Sequence, residues 1–280
     1  MISREQKFNL YLKNLKQDKY GFVESDRCDS LLFTSLTGCV PQVEVNIGAA
    51  FDGELWHRRP VDKPCFDCNT GENLGSKSSI SRDMLMGLAW YCYHNKRLDI
   101  SEQIIKHAMS NWGLMGKATD IKTLWSRCQI MPSLFATFCW ISYRLGGPCR
   151  WWAMWIPANF GSRLTDYEAH LQVLHILLRR DLTHSLSYTS VRKLSRHYSR
   201  SPMNPLFAYA VDRVEIAKKL LANQKFWPDD RLPTSSDREA EWLMMREPRD
   251  WAPADSSSNK THSGGDFIFM YWLIFRHIAF

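Results

Sequence analysis

What this chain lacks narrows it first. No apolar run approaches the roughly 20 residues needed to cross a bilayer. The C-terminal run Phe267 to Phe275 is short, and Arg276 and His277 follow it. A buried terminal helix is expected there, and no membrane partner. The opening residues, MISREQKFNLYLKNLKQDKYGF, are charged and amphipathic without the apolar core of a signal peptide. Export by that route is not expected, so the chain is read as cytoplasmic or carried within an assembly. There is no G-x-S-x-G elbow, Walker loop, dinucleotide fingerprint or H-E-x-x-H pair. Nucleotide-dependent and familiar hydrolase chemistries are therefore not expected, nor is a cofactor. The formal charge is +7, yet the basic residues are scattered and form no run long enough for a nucleic-acid arm. That balance suits an anionic polysaccharide better than nucleic acid.

Eight cysteines fall mostly inside apolar segments, where Cys behaves as a small hydrophobe, and free thiols are expected. Cys65 and Cys68 have C-x-x-C spacing without a second pair at a zinc-finger interval. Thiols, a local disulfide and zinc remain open for them, and no metal is assigned.

The segments that are present come in two kinds. Asp83 to Tyr93, Leu134 to Leu145 and Asp266 to Ile278 are apolar almost all round, so they must be buried on most sides. Asp99 to Trp112 is one-sided: Ile100, Ile104, Ile105, Ala108, Met109 and Trp112 follow helical spacing, with Glu102, Gln103, Lys106 and His107 between them. The same stripe recurs at Arg4 to Gln17, Tyr188 to Tyr198 and Arg213 to Gln224. Alternation of the two kinds predicts an all-α fold with an inner and an outer helical layer, here read as one domain over 1–280. Two irregular insertions interrupt it, at about 38–80 and 227–265. Within the first, Val43 to Ile47 alternates like a short strand. The piece Phe51-Asp52-Gly53-Glu54-Leu55-Trp56-His57-Arg58-Arg59 is too aromatic and charged for an idle loop. It is expected to form a lid, with Trp56 open to a ligand.

Polar residues gather at the starts of the inner segments: Ser81-Arg82-Asp83, Thr165-Asp166-Tyr167-Glu168 and Ser263-Gly264-Gly265-Asp266. Each acid has a local explanation as a cap or a dipole partner. If the inner helices run parallel, however, these starts converge into one acidic and aromatic cleft. In this organisation the chain resembles the (α/α)-toroid carbohydrate-active enzymes, the glycoside hydrolases and polysaccharide lyases. No sequence motif accompanies the resemblance, so it transfers no catalytic residue. What it implies is a polysaccharide substrate.

Hydrolysis of a glycosidic bond needs two carboxyl groups, about 5–5.5 Å apart for retention or 6.5–9.5 Å for inversion. The candidates are Asp52, Asp83, Asp166, Glu168 and Asp266, with His170 spaced i, i+4 from Asp166 as an auxiliary acid or base. Elimination would instead use a His or Tyr base beside a cation that neutralises a uronic carboxylate. Trp56, His57, Arg58, Arg59, Arg82 and Tyr167 are the candidate substrate-binding residues. A non-catalytic glycan-binding or structural subunit of a larger assembly is the competing reading, because helical rings also serve as scaffolds.

Overall fold

Capping chemistry sets where the helices begin. The Ser3 hydroxyl accepts from the Gln6 N–H at 3.1 Å and the Gln6 side chain accepts from the Ser3 N–H at 2.7 Å, a reciprocal cap that opens α1 (Arg4–Lys13). The computed structural model describes residues 2–23, 30–62, 80–116, 129–158, 169–234 and 261–276. Along them follow α2 (Ser30–Thr37), α3 (Arg82–His94), α4 (Leu98–Ser110), α5 (Pro132–Arg144), α6 (Trp151–Met154), α7 (Ala169–Thr183), α8 (Tyr188–Arg200), α9 (Pro205–Ala210), α10 (Val214–Ala222) and α11 (Gly265–Phe275). The protein is all-α. Val43 to Ile47 is not a strand: its apolar residues alternate inward, but no strand among the described residues pairs with it, and the backbone instead coils into a 3₁₀ turn at Ile47–Ala50.

The two kinds of helix are present as expected. Met84 to Cys92 of α3 are all buried, as are most residues of α5 and α11, whereas α4 and α8 each keep one exposed face. The chain divides into two compact units. One comprises Met1–Lys16, Ser162–Leu177 and Ser185–Phe280; the other comprises Gln17–Gly161 and Leu178–His184.

In the Gln17–Gly161 unit the buried helices run parallel. Gly87 of α3 lies against Leu32 and Ser35 of α2, and farther along Gly38 meets the Tyr91 ring while the Asn95 amide donates to the Gly38 carbonyl at 2.8 Å. Contacts that advance together along both chains require parallel axes. α3 and α5 agree at both ends. The Arg82 guanidinium sits 3.6 Å from the Met131 sulfur at their starts. At their finishes Tyr93 Oη and Arg144 Nε donate to the Asp181 and Leu182 carbonyls, at 3.5 and 2.7 Å, in the last turn of α7. The one-sided α4 runs the opposite way: its start meets the end of α5, where Leu98 lies against Gly147, and its end meets the α5 start, where Ile130 N–H donates to the Gly113 carbonyl at 2.8 Å.

Tight caps make this reversal of direction possible. After α3, Lys96 takes a left-handed conformation (φ 54°) and Arg97 N–H donates back to Cys92 O at 2.9 Å. After α4, Trp112 does the same (φ 54°) and Gly113 N–H reaches Ala108 O at 2.7 Å.

The other unit is centred on α11, which packs against α1, α9 and α10. Its core is aromatic: the Phe267 ring lies 4.1 Å from that of Tyr11 and 5.5 Å from that of Trp227. Asn204 caps α9 by accepting from Leu206 and Phe207 N–H, with Pro205 at the first helical position.

Candidate functional site

The loop after the 3₁₀ turn is a closed hairpin-like bend. His57 N–H donates to Ala50 O at 2.8 Å and Asp52 N–H to Leu55 O at 3.1 Å, while Gly53, at φ 98°, supplies the left-handed residue of the bend. Asp52 Oδ1 accepts from the backbone N–H of Glu54 (2.9 Å) and Leu55 (2.7 Å), and its Oδ2 lies 2.7 Å from His57 Nε2. Burial by itself would raise the Asp52 carboxyl, but the Leu55 N–H, the His57 ring and the Glu54 N–H outweigh it and hold the group at about 2. The Asp–His pair has the geometry that orients a general base. His57 is nevertheless buried, and its free ring nitrogen, Nδ1, is buried too, with no partner among the described residues.

The expected lid is therefore corrected. Trp56 is only 5% exposed; its ring packs 5.1 Å from Phe51 and its N–H donates to Gln103 Oε1 at 3.2 Å. Its face is spent on the core. Arg58 and Arg59 remain half-buried, and the Arg58 carbonyl accepts from Leu31 N–H at 2.9 Å, which seats the loop beside the start of α2.

At the same end of the unit stand the starts of α3 and α5. Arg82 and Asp83 occupy the first turn of α3, both half-buried, and the acid there complements the helix dipole. Ser81 and Met131, the two cap residues, supply no side-chain cap. The buried hydroxyls of Ser81 and Ser133 find no hydrogen-bond partner among the described residues. Three parallel helix starts thus share one pole with a carboxyl and a guanidinium. A half-buried carboxyl at such a pole can exchange a proton with a hydroxyl-rich group.

The other expected residues lie elsewhere or fall outside description. His170 (α7) and Asp266 (α11) belong to the unit centred on α11; both are buried, and Asp266 Oδ1 accepts from Phe267 N–H at 2.8 Å at the start of its own helix. Asp166, Tyr167 and Glu168 lie outside the described residues, as do Cys65 and Cys68. Among the described residues Cys39, Cys92, Cys139 and Cys149 are free thiols, and no group of three or more His, Cys, Asp or Glu comes together to hold a metal. No described helix is long and apolar enough to cross a membrane.

Exposed tryptophans are the feature that spacing did not reveal. Trp112 is 93% exposed, Trp151 67%, Trp152 53% and Trp155 80%, all in the Gln17–Gly161 unit. Helical periodicity had placed Trp112 on the buried face of α4, but the helix ends at Ser110 and the left-handed cap turns the indole into solvent. Trp112 lies at the α5 start, because Ile130 N–H donates to Gly113 O at 2.8 Å, and the Trp152 ring lies 5.9 Å from Phe135 in the opening turns of α5. The signal that could have located them is the cluster Trp151-Trp152-Trp155 beside Pro148, in a stretch too short to bury three indoles.

Arg179 is a second unforeseen residue. It is buried, donates weakly to Thr137 Oγ1, Met154 O and Ile156 O at 3.3–3.5 Å, and has no carboxylate partner among the described residues. Burial pushes its guanidinium down to about 10. It ties α7 to α5 and to the end of α6. No family model matches this chain, and no curated protein or solved structure is significantly similar to it.

Proposed function

We propose that this protein is a carbohydrate-active enzyme of (α/α) toroid-like build that cleaves a polysaccharide, by hydrolysis or elimination, at the pole where α2, α3 and α5 begin. The observation that carries the reading is the parallel course of these helices with α4 antiparallel beside them, which is how helical hairpins stack in such rings. Asp83 is the carboxyl we assign to acid or base work, with Arg82 beside it to hold an anionic sugar. Asp52 and Asp266 are withdrawn from that role, since backbone and ring donors occupy the first, and the second is buried in the first turn of α11, where it accepts from the Phe267 N–H.

A non-catalytic glycan-binding role is the second reading, and the four exposed tryptophans favour it, because an indole face stacks on the apolar face of a sugar ring. Trp112 is the sharpest case. A left-handed cap position suits glycine, and a bulky residue there costs about 1 kcal/mol without any compensating burial.

One panel separates the readings. Wild type, Asp83→Asn and Trp112→Gly are assayed on neutral and anionic polysaccharides for binding, reducing-end release and the absorbance of an unsaturated product. The enzyme reading expects Asp83→Asn to lose about 10²–10⁴ in rate at unchanged melting temperature. The binding reading expects no turnover by any variant and a loss of affinity in Trp112→Gly, whose stability stays equal or rises. Absence of both binding and cleavage in the wild type would refute both.

A further inference from the structure

A concave pocket in the unit centred on α11 has the composition of an anion site and is not used by the reading above. It measures about 430 Å³ including its solvent-filled mouth. Its walls come from α1 (Arg4, Lys7), α10 (Lys218) and α11 (Phe267, Tyr271, Phe275), with Asp229 closing one side. The α11 rings are spaced i, i+4, i+8 and form a continuous strip: Tyr271 lies 4.6 Å from Phe275 and 6.1 Å from Phe267, and Phe8 stacks on it at 4.5 Å.

Cations outnumber acids in this lining by three to one. Lys218 has its own partner, Glu215 at 2.6 Å. Lys7 is 4% exposed, and its ammonium meets a single carboxylate oxygen, Asp229 Oδ1 at 2.9 Å. An ammonium carries three N–H donors, so burial leaves this one short of acceptors. Arg4 lies over the Phe275 ring at 5.1 Å, with no carboxylate within ion-pair distance among the described residues. It is one helical turn from Lys7 on α1, with Arg4 exposed at the rim and the Lys7 ammonium buried beneath it. Burial lowers the Lys7 ammonium despite the opposing pull of Asp229, as expected for a cation that lacks full neutralisation.

We propose that this pocket binds a small organic anion, a carboxylate carried on a flat or apolar ring, with the carboxylate between Arg4 and Lys7 and the ring against the Phe267, Tyr271 and Phe275 strip. The Arg4 fork and the Lys7 point charge supply the charge-assisted donors, and the rings together with Leu221 and Ala222 supply an apolar floor. The site is independent of the polysaccharide reading and stands or falls without it.

The test is calorimetry on the full chain with three probes: benzoate, benzyl alcohol and inorganic phosphate. Benzoate is expected to bind with 1:1 stoichiometry and the other two at least about tenfold more weakly, since each supplies only half of the recognition. Arg4→Gln, at an exposed position, and Lys7→Met, which keeps the aliphatic stem, are each expected to weaken benzoate by about tenfold or more. Arg4→Gln retains the test if Lys7→Met melts early. Failure of benzoate to bind, benzyl alcohol or phosphate binding as tightly as benzoate, or affinity indifferent to both substitutions would each overturn the proposal.

Discussion

Asp52 shows how a residue that looks catalytic can be committed to structure. Both of its oxygens are taken, by two backbone N–H groups and the His57 ring, and its carboxyl is held at about 2 rather than 3.8. A carboxyl depressed on folding stabilises the native state above the unfolded value, and that contribution disappears as pH falls through the folded one. The window is therefore pH 4 down to 2. The full shift corresponds to about 2.4 kcal/mol, and partial exposure of the side chain reduces it to about 1–2 kcal/mol. Asp52→Asn is expected to lower the melting temperature at pH 7 by a few degrees, with the deficit shrinking as both proteins are taken from pH 5 to pH 2. A deficit that stays constant across that range would remove the electrostatic explanation. Nothing in the spacing of Asp52 and His57 announced the pairing, because five residues apart is neither a helical nor a strand register.

At the level of helices, the close approach of α2 and α3 depends on Gly87. A Cβ there would stand 3.0 Å from Leu32 Cα and O and 3.1 Å from Ser35 Cβ, where backbone cannot yield. Gly87→Ala gains helix propensity worth up to about 1 kcal/mol yet is expected to destabilise by about 1–3 kcal/mol overall, measured by chemical denaturation. A stabilised variant would mean the pair is looser than described. The inner and outer helices themselves were legible, since all-round against one-sided hydrophobicity reports burial directly. Their ends were less so. Lys96, Trp112 and Asp212 occupy left-handed cap positions without being glycine, so the usual stop signal was missing and the α4 stripe was read two residues too far, into Trp112.

For the molecule as a whole, the +7 charge bears on the class of glycan that the proposed function calls for. If the partner is a polyanion, its affinity for the protein should fall steeply between low and physiological salt, as screening shortens to about 8 Å, whereas a neutral glycan held by the exposed tryptophans should be nearly indifferent to salt. Retention of the full chain on immobilised anionic and neutral polysaccharides across a salt gradient distinguishes them. Equal salt sensitivity on both matrices would count against a glycan-specific surface.

The amino-acid sequence alone determined the all-α class and which helices are buried, because helical periodicity and apolar content are properties of a segment and its solvent, independent of partners. It also placed polar residues at the starts of α3 and α11. What those residues do was decided only by tertiary structure. The parallel course of α2, α3 and α5 leaves Arg82 and Asp83 half-buried at a shared pole, whereas Asp266 turns onto its own helix N–H and Trp56 is drawn into the core by Phe51 and Gln103. A carboxylate accepts the nearest donors, and an indole buries its face wherever apolar surface is offered. Both choices depend on neighbours brought together by long-range packing, which no local pattern encodes.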